Sequence, residues 1–263
     1  MTPHEDTATD TIDENLLGIR PQEVIFELST RCNLRCIYCA VSQPDYVGRD
    51  LEVVDRDALV EQLVALGPET FQINGHGEST LVEGWVDLAR ALLERGLAIT
   101  VISHLNKPMT DEEIDTMARF ERITVSCDTS DGDVYRRLRR GGLLERVERN
   151  IKRILTSADR DDRPRPYISF NCTVSHINVL GIPDLVSWAA DLGLPAVALT
   201  NLEEYPPIEG VEQPLHPSRT DPVGGLAAVR RGREIAEERG LDYWVMGGLE
   251  EVLEEACEGQ PAS

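Results

Sequence analysis

Cys32, Cys36 and Cys39, set in the run ELSTRCNLRCIYCA over residues 27–40, are the side chains best placed by type and spacing to do chemistry. Three close thiolates can each bind one iron of a cubane cluster and leave the fourth iron without a protein ligand, open to a reactant. Structural zinc is the plainer alternative, but such sites are closed by four protein ligands, usually as two separated pairs. No second pair follows: Cys127, Cys172 and Cys257 are solitary, and no histidine lies near the triplet at finger spacing. A disulfide framework belongs to short secreted chains, and this sequence reads without a secretory signal.

The next candidate is NGHGEST at 74–80. Gly75 and Gly77 permit tight turning and close backbone approach to a ligand, and Glu78 brings a carboxylate to the end of a predicted strand. In TVSCD (124–128), strand alternation puts Ser126 and Asp128 on one face and Cys127 on the other, although Asp128 could equally cap the following turn. The same alternation in YISFNCTV (167–174) makes Cys172 a core residue. His76 and His104 both fall at predicted strand ends, as proton shuttles or as hydrogen-bonded scaffold. Five arginines lie between Arg136 and Arg146, and a solvated helix face accounts for most of them.

CxxxCxxC, with the aromatic Tyr38 just before the third cysteine, resembles the signature of the radical SAM superfamily. That resemblance implies a 4Fe-4S cluster on Cys32, Cys36 and Cys39 whose open iron is chelated by S-adenosylmethionine, and reductive cleavage of the sulfonium to a 5′-deoxyadenosyl radical. The cofactor would carry the hard chemistry and the protein its position and electrostatics. Gly75–Glu78 is similar to the family's glycine-rich motif, whose Glu meets the amino group of S-adenosylmethionine. His76 between the glycines and Ser79, where many members have proline, are departures. The resemblance further implies Ser126 and Asp128 as ribose ligands and Arg140, or its neighbour Arg139, against the cofactor's carboxylate. It also implies an electron donor such as a flavodoxin or ferredoxin.

The elements that must position these residues alternate along the chain. Strands are expected at 24–28, 71–74, 98–102, 123–127, 167–174 and 195–200. Helices are expected at about 55–66 with Asp55 as N-cap, at 81–95, from Thr110 with Glu113 in a capping box, at 134–157 with a break at Gly141-Gly142, and at 183–192. Such alternation predicts an α/β fold with a parallel sheet, and the resemblance makes it a (β/α)6 partial TIM barrel, with chemistry at the C-terminal strand ends. Four regions follow: a flexible acidic N-terminal arm (1–20), the barrel (21–201), a Pro-rich loop (202–222) and a short C-terminal helical extension (223–263) with a helix at 224–239, a strand at 242–246 and a helix at about 248–257.

Hydrophobic residues make up 41% of the 263, enough for a core, and the formal net charge is −21. That acidity disfavours nucleic acid and anionic membrane as partners and suits a cationic or sugar-like small-molecule substrate, though it could serve solubility alone. No stretch has the length and apolarity of a membrane span, so a cytoplasmic location is expected, where thiols stay reduced.

Three solitary cysteines are one fewer than a second fully ligated cluster needs, so one cluster is expected. Cys257, in the acidic helix GLEEVLEEACEG, could hand a hydrogen atom to a substrate radical if the segment folds over the barrel mouth. In size, short C-terminus and acidity the chain resembles radical SAM epimerases that tailor aminoglycosides, a resemblance that implies Cys257 as catalytic donor; the plainer reading of Cys257 is a helix residue in an apolar contact. Radical dehydrogenation, dehydration or decarboxylation of a sugar or nucleoside is the nearest rival reaction. A peptide-modifying maturase and a non-catalytic iron–sulfur protein are more distant.

Overall fold

The computed structural model describes residues 20–202, 216–217 and 221–258. All but the last residue of the acidic arm expected at 1–20, and most of the Pro-rich stretch at 202–222, lie outside the described residues. The chain runs through β1 (Glu23–Phe26), the two-residue β2 (Arg35–Cys36), α1 (Val53–Ala65), β3 (Thr70–Ile73), α2 (Trp85–Glu94), β4 (Ala98–Ser103), α3 (Asp111–Met117) and β5 (Arg122–Ser126). It continues with α4 (Gly132–Leu138), β6 (Arg139–Arg140), α5 (Leu144–Arg160), β7 (Tyr167–Val174), α6 (Ile182–Asp191), β8 (Ala196–Asn201), α7 (Pro222–Arg239), β9 (Asp242–Met246) and α8 (Leu249–Glu258).

Seven strands form one wholly parallel sheet in the order β1-β3-β4-β5-β7-β8-β9. Parallel neighbours need a crossover, and each one here contains a helix. The α/β class and the partial-barrel arrangement expected from the sequence are therefore observed, with seven strands in place of six. The added strand is β9, which was assigned to a helical extension. It pairs with β8 from Ala196↔Asp242 to Thr200↔Met246 and so satisfies an edge that would otherwise be bare.

Strand alternation divides the sheet into two chemically different faces. Phe71, Ile73, Ile99, Val101, Ile123, Val125, Ile168, Phe170, Val197 and Leu199 are buried in the core. Their packing partners there include Leu88 and Leu92 of α2, Val147, Ile151 and Ile154 of α5, and Leu185 and Val186 of α6. The alternate positions Gln72, Thr124, Ser126, Asn171, Thr173 and Thr200 are only partly buried and carry amides or hydroxyls. Cys127 and Cys172 are fully buried in the core, as alternation predicts.

Two local departures bear on the site. The expected helix over 134–157 is divided: Asp131 caps α4 through the amides of Asp133 and Val134, the chain then extends as β6, and Gly141 turns it with φ of 91° before α5 begins. That left-handed conformation is open to glycine at little cost. Asp55 does not cap α1; the helix starts at Val53, and Asp55 lies in its first turn, where a carboxylate still complements the helix dipole. The capping box of Thr110 and Glu113 is present.

Candidate active site

The loop after β1 carries the three cysteines, and its path is fixed by neighbours on both sides. On one side, the amide of Gly77 donates to the Ser29 carbonyl (3.1 Å) and the amide of Glu78 to the Arg31 carbonyl (2.8 Å). A Cβ at Gly77 would lie 2.3 Å from the Arg31 carbonyl oxygen and 2.6 Å from that of Ser29, so Gly77 is required for the shelf to close on the cysteine loop. Gly75 makes a similar approach, to the side chain of Glu27. These glycines thus serve chain-to-chain packing as well as lining the cavity described below.

On the other side, β2 pairs with β6 as a two-residue antiparallel ribbon, with Arg35 opposite Arg140 and Cys36 opposite Arg139. The Cys36 thiol is thereby brought to the Arg139 guanidinium, with Nη1 to Sγ at 3.9 Å. Arg139 is buried and binds Asp128 through a fork, Nε to Oδ2 and Nη2 to Oδ1, both at 2.8 Å. Tyr38 donates its hydroxyl to Asp128 Oδ2 (2.6 Å), its ring lies 5.7 Å from the guanidinium carbon, and the Thr173 amide donates to Asp128 Oδ1 (3.0 Å). Each carboxylate oxygen of Asp128 thus accepts two hydrogen bonds.

This corrects two sequence expectations. Asp128 was paired with Ser126 for a ribose, but β5 ends at Ser126 and Asp128 turns into the buried network, its acceptors already engaged. Ser126 does line the cavity beside the cysteines. Arg140 was chosen over Arg139, yet Arg139 lines that cavity while Arg140 is exposed on the ribbon. Alternation along β6 makes only one of two adjacent arginines face inward.

Cys32, Cys36 and Cys39 line one cavity of about 150 Å³ together with Tyr38, Gly75, Gly77, Glu78, Ser126 and Arg139. All three thiols are free. Burial pushes the Cys36 thiol up to about 12 against the pull of Arg139, and burial also raises Cys32, partly offset by the Leu34 amide. Iron must therefore displace protons when it binds. Among the described residues no three His, Cys, Asp or Glu side chains converge as a single metal ion requires. Thiolates that each hold a different iron need no such convergence.

Glu78 is buried in the wall of the same cavity. Its Oε1 accepts from the Thr80 hydroxyl (2.7 Å) and the Ser103 hydroxyl (2.7 Å), and its Oε2 from the His104 amide (3.1 Å). Burial alone would raise this carboxyl, but the adjacent imidazole and these donors outweigh it and hold Glu78 below the usual carboxylate range. His104 Nδ1 accepts from the Asn106 amide (2.8 Å), which places the proton of the neutral ring on Nε2. Burial lowers the His104 imidazole below its ordinary value, against the pull of Glu78. Its Nε2 lies 3.1 Å from Glu78 Oε2 yet makes no aligned hydrogen bond. A buried carboxylate and an unsatisfied donor on one wall fit a zwitterionic ligand such as an amino acid group. Ser103, Thr80 and Asn106 were missed at the sequence level; the capacity for hydrogen bonding is visible there, the convergence is not. His76 is exposed and pairs with Glu27 through Nδ1 at 3.2 Å.

A second cavity of about 510 Å³ shares Tyr38, Cys39, Val41 and His76 with the first and extends to Thr173, Thr200 and Asn201 at the ends of β7 and β8. Cys257 is not brought to either. It packs against the core in the last turn of α8, four residues after the buried Leu253, which contacts α7 near Gly225. This is the apolar contact that the plainer reading of Cys257 describes.

Residues 26–158 match the family model of the radical SAM superfamily. A GTP 3′,8-cyclase of Caulobacter vibrioides is 26% identical over 250 residues, covering 88% of this chain and 67% of that protein. A GTP 3′,8-cyclase of Rhodopseudomonas palustris is 28% identical over 188 residues, covering 68% of this chain and 51% of that protein. The chain thus spans about half to two thirds of the length of these curated relatives. Among solved structures, Streptococcus suis SuiB bound to S-adenosylmethionine superposes with a TM-score of 0.66 at 19% identity, over 86% of this chain and 51% of that one. Coproporphyrinogen III oxidase (HemN) from Escherichia coli gives 0.59 at 15% identity, over 88% and 57%. At these identities the structural likeness shows the fold.

Proposed function

The chain belongs to the radical SAM superfamily, and from that premise we propose that it abstracts hydrogen from a carbon of a hydroxyl-bearing small molecule held at the ends of β7 and β8. The family's cofactors are a 4Fe-4S cluster and S-adenosylmethionine, which when bound supply a hydrogen-abstracting radical by reductive cleavage of the sulfonium. Cys32, Cys36 and Cys39 hold the cluster in this reading. Glu78 and His104 offer the charge and the donor for the amino acid portion of S-adenosylmethionine, and Ser126 a hydroxyl for its ribose. Tyr38 and Arg139 wall the site and keep water from it.

One observation carries the proposal: the cysteine-lined cavity and the larger cavity share a wall at Tyr38 and Cys39. A substrate in the second cavity is therefore adjacent to the reacting centre, as hydrogen transfer demands. The catalytic unit in this proposal is residues 21–201 together with β9, working in a reducing cytoplasm with a flavodoxin- or ferredoxin-like electron donor.

A neutral carbohydrate is the favoured substrate class. Among the described residues, the larger cavity is lined by no Asp, Glu, Lys or Arg, and Thr173, Thr200 and Asn201 offer hydroxyl and amide groups. A polyphosphate would call for cationic partners, and Arg139 is already engaged by Asp128. The relatives named GTP 3′,8-cyclase favour a second reading, a purine nucleotide. Inversion at carbon with Cys257 as donor finds no support in the position of that thiol, so the outcome of the radical reaction is left to the substrate.

The test is anaerobic reconstitution with iron and sulfide, reduction, and measurement of 5′-deoxyadenosine with sugars, aminocyclitols and GTP. Deoxyadenosine stimulated by a neutral sugar supports the favoured class, and stimulation by an aminocyclitol alone replaces it with a cationic substrate. Stimulation by GTP alone replaces it with the nucleotide reading, and no deoxyadenosine with any substrate removes the enzyme reading.

A further inference from the structure

Arg139 is positioned to do more than wall the cavity. Its fork holds Asp128, and the remaining nitrogen, Nη1, lies 3.9 Å from Cys36 Sγ. The group is buried, as are Cys36 and Asp128, so the charges interact without the screening of bulk water. The ribbon of β2 with β6 sets Cys36 directly opposite Arg139, and Gly141 provides the turn that returns the chain into α5. Tyr38, between the second and third cysteines, donates to Asp128 and lays its ring against the guanidinium. One iron ligand is thus tied to a cation, the cation to an anion, and the anion back to the cysteine loop.

We propose that the Arg139–Asp128 pair is a positioning device that sets the reduction potential of the cluster through Cys36, with Arg139 raising it and Asp128 limiting the rise. The inference rests on the reading that Cys36 is an iron ligand. Reduction adds negative charge to a cluster, so a cation and a hydrogen bond at a ligating sulfur favour the reduced form. Outer partners of metal ligands tune a site in this way without touching the metal. Asp128 takes Nε and one N–H of Nη2, and Nη1 is the nitrogen that meets the sulfur, so the cation lies nearest the cluster.

The experiment is a redox titration of the reconstituted full chain, followed by electron paramagnetic resonance, with iron content and S-adenosylmethionine affinity measured on the same samples. Iron content and a reducible cluster signal in the native chain test the underlying reading on their own, before any variant is compared. D128N removes the restraining anion, and its midpoint should move to a more positive value. D128N/R139Q removes both charges and should fall below D128N and below the native chain. The double variant leaves no uncompensated buried charge and is the one best placed to fold. Midpoints that coincide in the native chain and D128N/R139Q, at equal iron content, overturn the proposal. So does a loss of S-adenosylmethionine affinity with the midpoint unmoved, which would assign Arg139 to the cofactor's carboxylate instead.

Discussion

Gly77 and Ser29 are joined amide to carbonyl at 3.1 Å, and through that bond the shelf after β3 fixes the height of the cysteine loop after β1. The two segments meet backbone to backbone, with no room for a side chain between them.

G77A should therefore be destabilising. Its methyl would need the Ser29 and Arg31 backbone to retreat, and inserting a methyl into a packed contact costs about 1–3 kcal/mol. Urea unfolding of the native chain and the variant measures this. Reconstituted G77A should also hold less iron, because the loop that carries Cys32 must shift. Unchanged stability and iron content would remove Gly77 as the reason for the close approach.

His104 gives a pH dependence of defined sign. Its folded-state value is depressed by burial, so below the ordinary value of about 6.5 the unfolded chain takes up a proton that the native chain does not. Stability should fall as pH drops from about 6.5 toward the folded value. Glu78, also depressed, adds a loss at lower pH, as its own folded value is passed. H104N keeps an acceptor for the Asn106 amide and removes the titration, so its stability profile should be flatter below pH 6.5. Parallel profiles for the two proteins would contradict the neutral, buried assignment.

C257A should leave deoxyadenosine yield and product stereochemistry unchanged, with a stability loss of no more than about 1 kcal/mol for a small change at a partly buried contact. Chromatography of the products and thermal unfolding check both. Retained deoxyadenosine with loss of the native product would bring back the hydrogen-donor role.

What could be read from the sequence follows the range of the interactions involved. The cysteine spacing, the capping box at Thr110 and the alternation that buries Cys127 and Cys172 are local, and the structure agrees with the last two. β9 was recognised as a strand, but its neighbour β8 is chosen by tertiary packing, so its place in the sheet was missed. Asp128 was assigned by extending strand alternation two residues past Ser126, where the strand has already ended. Arg139 could not be told from Arg140 because the choice depends on pairing with Cys36, a partner 103 residues away.

That separation has a consequence for how the protein matures. Cys36 acquires its guanidinium neighbour only after the chain through β6 has been made and the ribbon has closed. Iron delivered earlier meets three cysteines on a loop lacking its far support, whereas iron delivered later meets a finished socket. In the proposed reading of the three cysteines, the socket that would receive iron is therefore complete only when the chain through β6 is in place.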